Sequence, residues 1–453
     1  MTSSKRSPVR YRFRDNAWLP GPRLFAALGF GLVLTLAAAM VGLHDWTALV
    51  FHLALTGLVI EEFRRMRRHG SVQLTRESDG FLELGQSNPI RIHVYNPAPW
   101  PVTCVVKDDY PEGFQLDRRE MTVTVPAGET ETLVYHVRPH RRGRHSFDRI
   151  HVRQRGPMGL LVRQQAAVLP EEKQVYPLLK HVRRVRGGVY KRKLSATGPH
   201  NRHGLGRGSE FAHIRDYVPD DEPRWINWTA TARRGKLATN VYQPEQGQHV
   251  AILLDCGRIM GVRDGELTRL DRAVEAALAF AAIAVERGDQ VSLLAFSSQV
   301  KKWVPPGKGA PHLQRIIEAV YDLEPDYVES GYRTAMESLA FHHKRRTLVA
   351  LFTDASNLTF ADELIEHIRV LQRRHLIMTV TMEDPQLQRE CNLRPREEKE
   401  VFRKAIAQQV TEERDERLKA LKRRGVITLN VAPDQLAEQV IHSFLDIKNR
   451  SLL

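Results

Sequence analysis

Cysteine is scarce in this chain: three in 453 residues, Cys104, Cys256 and Cys391, far apart and in no C-x-x-C pattern. That excludes a disulfide framework and a cysteine-based zinc site, and it fits a reducing compartment. Signatures of phosphate-binding and hydrolytic chemistry are also missing. There is no G-x-x-x-x-G-K-[ST], and Gly307-Lys-Gly309 lacks the spacing that wraps a phosphate. Neither H-E-x-x-H nor G-x-S-x-G occurs. Ser298-Gln-Val-Lys301 fits S-x-x-K, but without the companion S-D-N and K-T-G elements it reads as a turn. Acidic residues are outnumbered, 53 against 68 Lys and Arg, so the net charge is +15 and the pI about 9.8. A hydrophobic share of 42% with 27% charged residues excludes wholesale disorder and collagen-like structure. A mean hydropathy of −0.38 excludes a polytopic transporter but not a few spans. The length predicts two or three domains.

Leu24 to Leu43 is a run of 20 residues without charge, long enough as a helix to cross a hydrocarbon core of about 30 Å. A polar dip at His44-Asp45 precedes a second apolar run, Trp46 to Ile60, whose 15 residues are short for a span. Lys5, Arg6, Arg10, Arg12, Arg14 and Arg23 precede the pair, and Arg64, Arg65, Arg67 and Arg68 follow it. The positive-inside rule then predicts a hairpin in the inner membrane with both ends and the bulk of the chain in the cytoplasm, turning at His44-Asp45. The competing reading is a cleaved signal peptide ending near Ala37-Ala38-Ala39. Its apolar core would be too long, and a second apolar run follows at once.

Residues 71–169 change character. Alternation in Ile90–Tyr95, Met121–Val125 and Thr132–Val137, broken by Pro/Gly/Asn turns, predicts an antiparallel sandwich of the immunoglobulin-like type, with a mechanical or adhesive job. From Lys180 to Arg207 there are nine Lys/Arg and no Asp or Glu. Such a stretch could bind polyanions or anionic lipid headgroups. Without aromatic interleaving or helix-turn-helix spacing, sequence-specific nucleic-acid binding is not expected, and a solvated connector is the simpler reading.

After residue 248 buried strands alternate with amphipathic helices. Val250–Leu254, Gln290–Phe296, Thr347–Phe352, Leu376–Val380 and Gly425–Val431 are the strands, and Val300–Pro306 is an antiparallel edge. This pattern predicts a doubly wound, mostly parallel sheet. Asp255 and Asp354 stand at strand ends, where such sheets bind ligands. Cys256 reads as a packed thiol, His342-His343 as a solvated helix end, and Glu397–Arg424 as an exposed amphipathic helix.

One segment is denser in chemistry. Gly208, Glu210, Phe211, Arg215, Tyr217, Asp221, Arg224, Ile226, Trp228, Ala232 and Arg233 place three arginines, carboxylates and aromatics within 26 residues, which predicts an ion-paired cluster. These positions resemble the motif of the bacterial domain-of-unknown-function 58 family, G-x-E-F-x-x-x-R-x-Y-x-x-G-D-x-x-R-x-I-x-W-x-x-x-A-R. Asp220 departs from it, standing where the family usually has Gly. The likeness extends to Arg138–Gly143 and Gly156–Leu160. It implies a MoxR-type AAA+ ATPase as partner and a C-terminal domain similar to von Willebrand factor A. The cation site of such a domain uses D-x-S-x-S, a later threonine and a further aspartate. Asp255 and Asp354 match the acids, Gly257 and Ile259 replace the serines, and the threonine position falls near Tyr332, with Thr334 an imperfect substitute.

Mg²⁺ needs near-octahedral oxygen ligands, so no cofactor is expected here. If a cation does bind, Asp255 and Asp354 would hold it. The simpler expectation is that they cap helices or pair with arginines such as Arg224 or Arg233. The domains expected are a basic cytoplasmic terminus (1–23), the hairpin (24–62), the β module (71–169), the basic bridge with the signature (170–247) and the α/β domain (248–453). The expected function is a non-enzymatic, membrane-anchored adaptor that assembles or matures other complexes, with the signature as partner surface. The alternatives are a metal-assisted hydrolase using Asp255, Asp354 and Glu210 or Asp221, and a polyanion-binding membrane protein.

Overall fold

The computed structural model describes residues 13–42, 44–78, 80–188, 210–219, 221–243, 247–354, 361–450 and 452. The chain divides into two units, Met1–Tyr176 and Pro177–Leu453.

The first unit begins with strand β1 (Phe13–Pro20) and two helices, α1 (Pro22–Val41) and α2 (His44–Arg68). Proline suits the first turn of α1, where an N–H would have no partner. Gly42, at φ 77°, ends the helix in the left-handed region. The reversal therefore lies at Gly42 and not at His44-Asp45, since His44 is already helical. The second helix is also longer than its 15 apolar residues, because Glu61, Glu62 and the arginines continue it. Pro22–Met40 and Trp46–Arg68 are each long and apolar enough to cross a membrane.

The β module has two sheets. One runs β1–β10–β9–β5–β7 and the other β2–β4–β8–β6, and short β3 lies parallel to the end of β10. The strands are β2 (Gln73–Ser78), β3 (Leu82–Glu83), β4 (Asn88–Tyr95), β5 (Val102–Asp108) and β6 (Phe114–Leu116). They continue with β7 (Met121–Val125), β8 (Thr130–Pro139), β9 (Gly143–Arg155) and β10 (Leu161–Tyr176). Alternation works as expected: Ile90, Ile92 and Val94 of β4 are buried, and their neighbours are not. Inside, Arg76 of β2 grips Asp108 of β5, which also accepts from the Tyr135 hydroxyl of β8 at 2.5 Å. Burial raises the Asp108 pKa against the pull of Arg76.

Two domain boundaries need correction. The expected N-terminal tail, residues 1–23, contains β1, which pairs antiparallel with β10, so the helical hairpin is an insertion between two strands of one module. Its residues Phe13-Arg-Asp-Asn-Ala-Trp lack the alternation that marks a strand. The module ends at Tyr176, beyond the expected 169, because β10 runs 16 residues. At the junction Glu62 of α2 is fully buried in the loop 156–160. Its Oε1 accepts from the N–H groups of Met158 (2.7 Å) and Gly159 (2.9 Å), and its Oε2 from Leu161 (2.9 Å). A Cβ on Gly156 would collide with that carboxylate. On the other side of the loop Gly21 donates to Leu160 O at 2.7 Å, and Arg23 donates to Met158 O at 3.0 Å.

The second unit opens with α3 (Lys180–Arg186), in which Val182 and Val185 are buried. The first turns of the basic bridge are thus a packed helix and not a solvated connector, because two of their apolar residues share one face. Residues 189–207 of the bridge lie outside the described residues. Strands β11 (Glu210–Asp216) and β12 (Ala238–Gln243) form an antiparallel pair around α4 (Trp228–Arg234).

The main sheet has the order β17–β16–β13–β18–β19–β20, parallel except for the β17 edge. Its strands are β13 (His249–Asp255), β16 (Gln290–Phe296), β17 (Val300–Gly307), β18 (Thr347–Phe352), β19 (Leu376–Met382) and β20 (Ile427–Val431). A two-residue pair, β14 (Arg263–Asp264) and β15 (Leu267–Thr268), follows β13. The helices are α5 (Arg269–Glu286), α6 (Gly309–Val320), α7 (Tyr332–His342), α8 (Ala361–Leu371), α9 (Pro385–Asn392), α10 (Glu398–Arg423) and α11 (Leu436–Asn449). Ala251, Leu253, Leu294, Val349 and Leu351 face α7, α8 and the end of α10 in one core, while α5 with α6 and α11 covers the other side. The doubly wound expectation holds.

One smaller expectation fails and another holds in part. His343 is buried, with Nε2 3.0 Å from the Ser292 hydroxyl, so it is no solvated helix end. The charged run forms α10, but its Leu418 and Leu421 enter the core, while Val401 and Ile406 are exposed.

Candidate functional site

Strand order reverses around β13: β16 follows it on one side and β18 on the other. Asp255 closes β13, and Thr353-Asp354 follows β18, so the two acids meet at the crest of the sheet where adjacent strands splay apart. Both are buried, 3% and 2% exposed, which demands compensation for two carboxylates.

The compensation differs between them. Asp255 Oδ1 accepts from the Gly257 N–H (2.8 Å) and the Ser330 hydroxyl (2.6 Å). Its Oδ2 accepts from Thr353 Oγ1 (2.6 Å) and lies 3.0 Å from the Tyr332 hydroxyl, which is also 2.8 Å from Thr353 Oγ1. Ser330 Oγ stands where a side chain on Gly257 would lie, so the glycine makes room for a hydroxyl supplied from elsewhere in the chain. Asp255 has therefore not lost its hydroxyl partners. They come from Ser330, Tyr332 and Thr353 instead of positions 257 and 259. Burial and the Asp255 charge push the Tyr332 pKa up, which keeps its phenol protonated.

Asp354 is held by charge. Arg269, the first residue of α5, donates to Asp354 Oδ2 through Nη1 and to Asp384 Oδ2 through Nη2 at 2.6 Å. Arg414 of α10 brings Nη2 to 3.6 Å from Asp354 Oδ1, and donates to Met382 O and to Asn430 Oδ1. A cation at the positive end of a helix is unfavourable by itself. Arg269 sits there because Thr268 and Asp271 cap the helix reciprocally and two carboxylates face its guanidinium. Arginine pairing was expected for these acids, but from Arg224 or Arg233. Arg224 pairs instead with Glu222 and lies over the Trp225 ring at 5.4 Å, and Arg233 is exposed on α4.

The signature segment forms its own local structure. Arg215 Nη2 donates to Asp221 Oδ1 at 2.5 Å, Val218 N–H to Asp221 Oδ2 at 3.0 Å, and the Tyr217 hydroxyl to Asp221 O at 3.2 Å. Three motif residues thus fix one turn. Asn227 caps α4 by accepting from Ala230 N at 2.9 Å, and Gly235 ends it at φ 67°. Trp228, 68% exposed, Arg224 and Arg233 are left at the surface. Glu210 and Phe211 lie on β11 opposite Gln243 and Tyr242, while Gly208 and Asp220 fall outside the described residues. Asp221 is taken up by this turn.

Among the described residues the crest has no exposed nucleophile beside a base, and Cys256 is fully buried next to Asp255. Among the described residues no group of three or more His, Cys, Asp or Glu is placed to hold a metal ion. Sequence reasoning named Asp255, Asp354 and the Tyr332 position. It missed Ser330, Thr353, Arg269 and Arg414. The one legible signal was an arginine opening a helix against its dipole, just after the cap in Thr268-Arg-Leu-Asp271.

Comparison with known proteins agrees with the motif. Residues 213–393 match the family described as "Protein of unknown function DUF58". An "Uncharacterized protein YeaD" from Bacillus subtilis (strain 168) is 24% identical over 193 residues, 41% of this chain and 48% of that protein, so the chain spans about half the length of that relative. Among solved structures, the conserved hypothetical protein BatB from Bacteroides thetaiotaomicron aligns over 45% of this chain and 100% of its own, at 13% identity and a TM-score of 0.29. An aerotolerance-related membrane protein from Bacteroides fragilis NCTC 9343 aligns over 44% and 100%, at 14% identity and a TM-score of 0.27.

Proposed function

We propose that this chain is a membrane-anchored adaptor. Its helical hairpin sits in the inner membrane with both ends cytoplasmic, its β module is an immunoglobulin-like spacer, and its second unit, similar to von Willebrand factor A, docks protein partners. A MoxR-type AAA+ ATPase, implied by the family resemblance, is the first of them, and assembly or maturation of other complexes is the process. The observation that carries this reading is the contrast within the second unit. Its crest acids are buried and satisfied by the protein, while Trp228, Arg224 and Arg233 of the signature segment stand exposed on a capped, ion-paired scaffold. Exposed aromatic and arginine side chains on a rigid element are the usual anchors of protein interfaces. Because β1 precedes the hairpin and β2 follows it, both hairpin ends join one module, which supports a single side for both.

The test uses the full chain in lipid nanodiscs with a MoxR-type ATPase from the same source. Co-elution and at least a twofold change in ATP turnover are expected, both lost in Arg224→Glu and Trp228→Ala. Absence of binding together with unchanged turnover overturns the adaptor role.

A further inference from the structure

The resemblance to von Willebrand factor A implies a divalent cation held between the acids at the crest, and the described residues there do not fit one. A carboxylate offers about four lone-pair directions, and Asp255 has four donors within 3.0 Å: one backbone N–H and three hydroxyls. Asp354 faces Arg269 and Arg414, and a hard cation placed beside it would meet two guanidinium groups at close range. Arg269 also reaches Asp384, the residue that caps α9 through Gln386 N (2.9 Å) and Leu387 N (3.2 Å). One planar fork thus spans two carboxylates from two loops, the bridging task a metal would otherwise perform.

We infer that Arg269 is the resident cation of this crest, so that the α/β domain keeps one crest arrangement whatever the divalent-ion concentration, and that its removal uncovers a latent divalent-cation site between Asp354 and Asp384. The inference rests on the crest geometry and stands or falls apart from the docking role. Burial lowers the pKa of both Arg269 and Arg414, and Asp384 works against it in each case.

The experiment titrates Mn²⁺ into the full chain in detergent, reading free Mn²⁺ by electron paramagnetic resonance and unfolding by thermal scan. Wild type and Asp384→Asn, which keeps an equally good helix cap, are expected to bind the same number of ions. Arg269→Ala is expected to gain one saturable site and to unfold about 5 °C higher at saturating Mn²⁺ than without it. That gain should vanish in Arg269→Ala/Asp384→Asn. If Arg269→Ala folds only when Mn²⁺ is present, the inference is supported in its strongest form. One more ion bound by wild type than by Asp384→Asn overturns it. So does an Arg269→Ala protein that folds yet gains no site, or one that stays unfolded with Mn²⁺ present.

Discussion

Two buried carboxylates, Glu62 in the first unit and Asp255 in the second, solve the same problem with different partners. Glu62 is met by three backbone N–H groups of the loop that joins β9 to β10. Asp255 is met by one N–H and three hydroxyls. A backbone N–H can only donate, whereas a hydroxyl can turn and accept. The first site is thus locked to a negative charge and to its exact shape, while the second can tolerate a change of hydrogen-bonding character. The place that tolerates nothing is the junction between the helical hairpin and the β module, at the Gly156–Leu160 stretch that shares the family likeness.

The comparison is broken most directly at Glu62. Glu62→Ala should destabilise the first unit by about 3–5 kcal/mol, since three buried N–H groups lose their acceptor. A thermal scan of the full chain in nanodiscs, with tryptophan fluorescence as readout, measures it. Gly156→Ala should act in the same direction by displacing the carboxylate. The amide substitutions sharpen the contrast. In Glu62→Gln one end keeps the bonds to Met158 and Gly159, but its NH₂ faces the Leu161 N–H, donor against donor. In Asp255→Asn the NH₂ can donate to Tyr332 and Thr353 once their hydroxyls rotate. The expected cost is about 2–3 kcal/mol for Glu62→Gln and about 1 kcal/mol for Asp255→Asn. Equal losses on urea titration would mean that the hydroxyls at the crest are as fixed as backbone amides.

Much of this architecture was legible before any coordinates. Period-two alternation placed β4, β7 and β8, and near-continuous apolar runs placed the five parallel strands within a few residues. Those signals are local. The misses are long-range. Strand β1 has little alternation and owes its existence to pairing with β10, about 150 residues later. Asp255 and Asp354 were found because strand ends mark themselves. Ser330 comes from a loop 75 residues on, and Arg269 and Asp354 are separated by 85 residues, so no spacing rule connects them. The motif residues Arg215, Tyr217 and Asp221 did come together, since all three lie within one turn.

A third effect lies at the opposite end of the same sheet from Asp255. His343 is buried against Ser292 and Thr347, with the rings of His249 and Trp303 beside it and His375 and His342 nearby. Burial lowers its pKa to about 4, and the neighbouring histidines add to the shift. The unfolded chain therefore binds the proton first, at about pH 6.5. Stability carried by neutral His343 is complete above that value and is lost as the pH falls towards 4. Urea titrations at pH 7 and pH 5 should show the loss, and His343→Asn should reduce it. An unchanged pH dependence in the variant would assign the loss to other groups.

The smallest structural effect is expected where the largest functional one is proposed. Arg224 pairs with Glu222 at the surface, and Trp228 projects from the first turn of α4 with most of its ring in solvent. Exposed ion pairs contribute between nothing and about 1 kcal/mol, and surface substitutions usually stay within about 0.5 kcal/mol. Arg224→Glu and Trp228→Ala should therefore leave the thermal midpoint within about 1–2 °C of wild type. Arg215→Ala, by contrast, frees Asp221 and should loosen the turn that presents them. Hydrogen exchange of the amides at 216–218 separates the cases: faster exchange in Arg215→Ala alone would mark Arg215 as scaffold and Arg224 and Trp228 as surface. Faster exchange in all three would mean that the exposed pair also holds the turn, and the division between scaffold and docking residues would have to be redrawn.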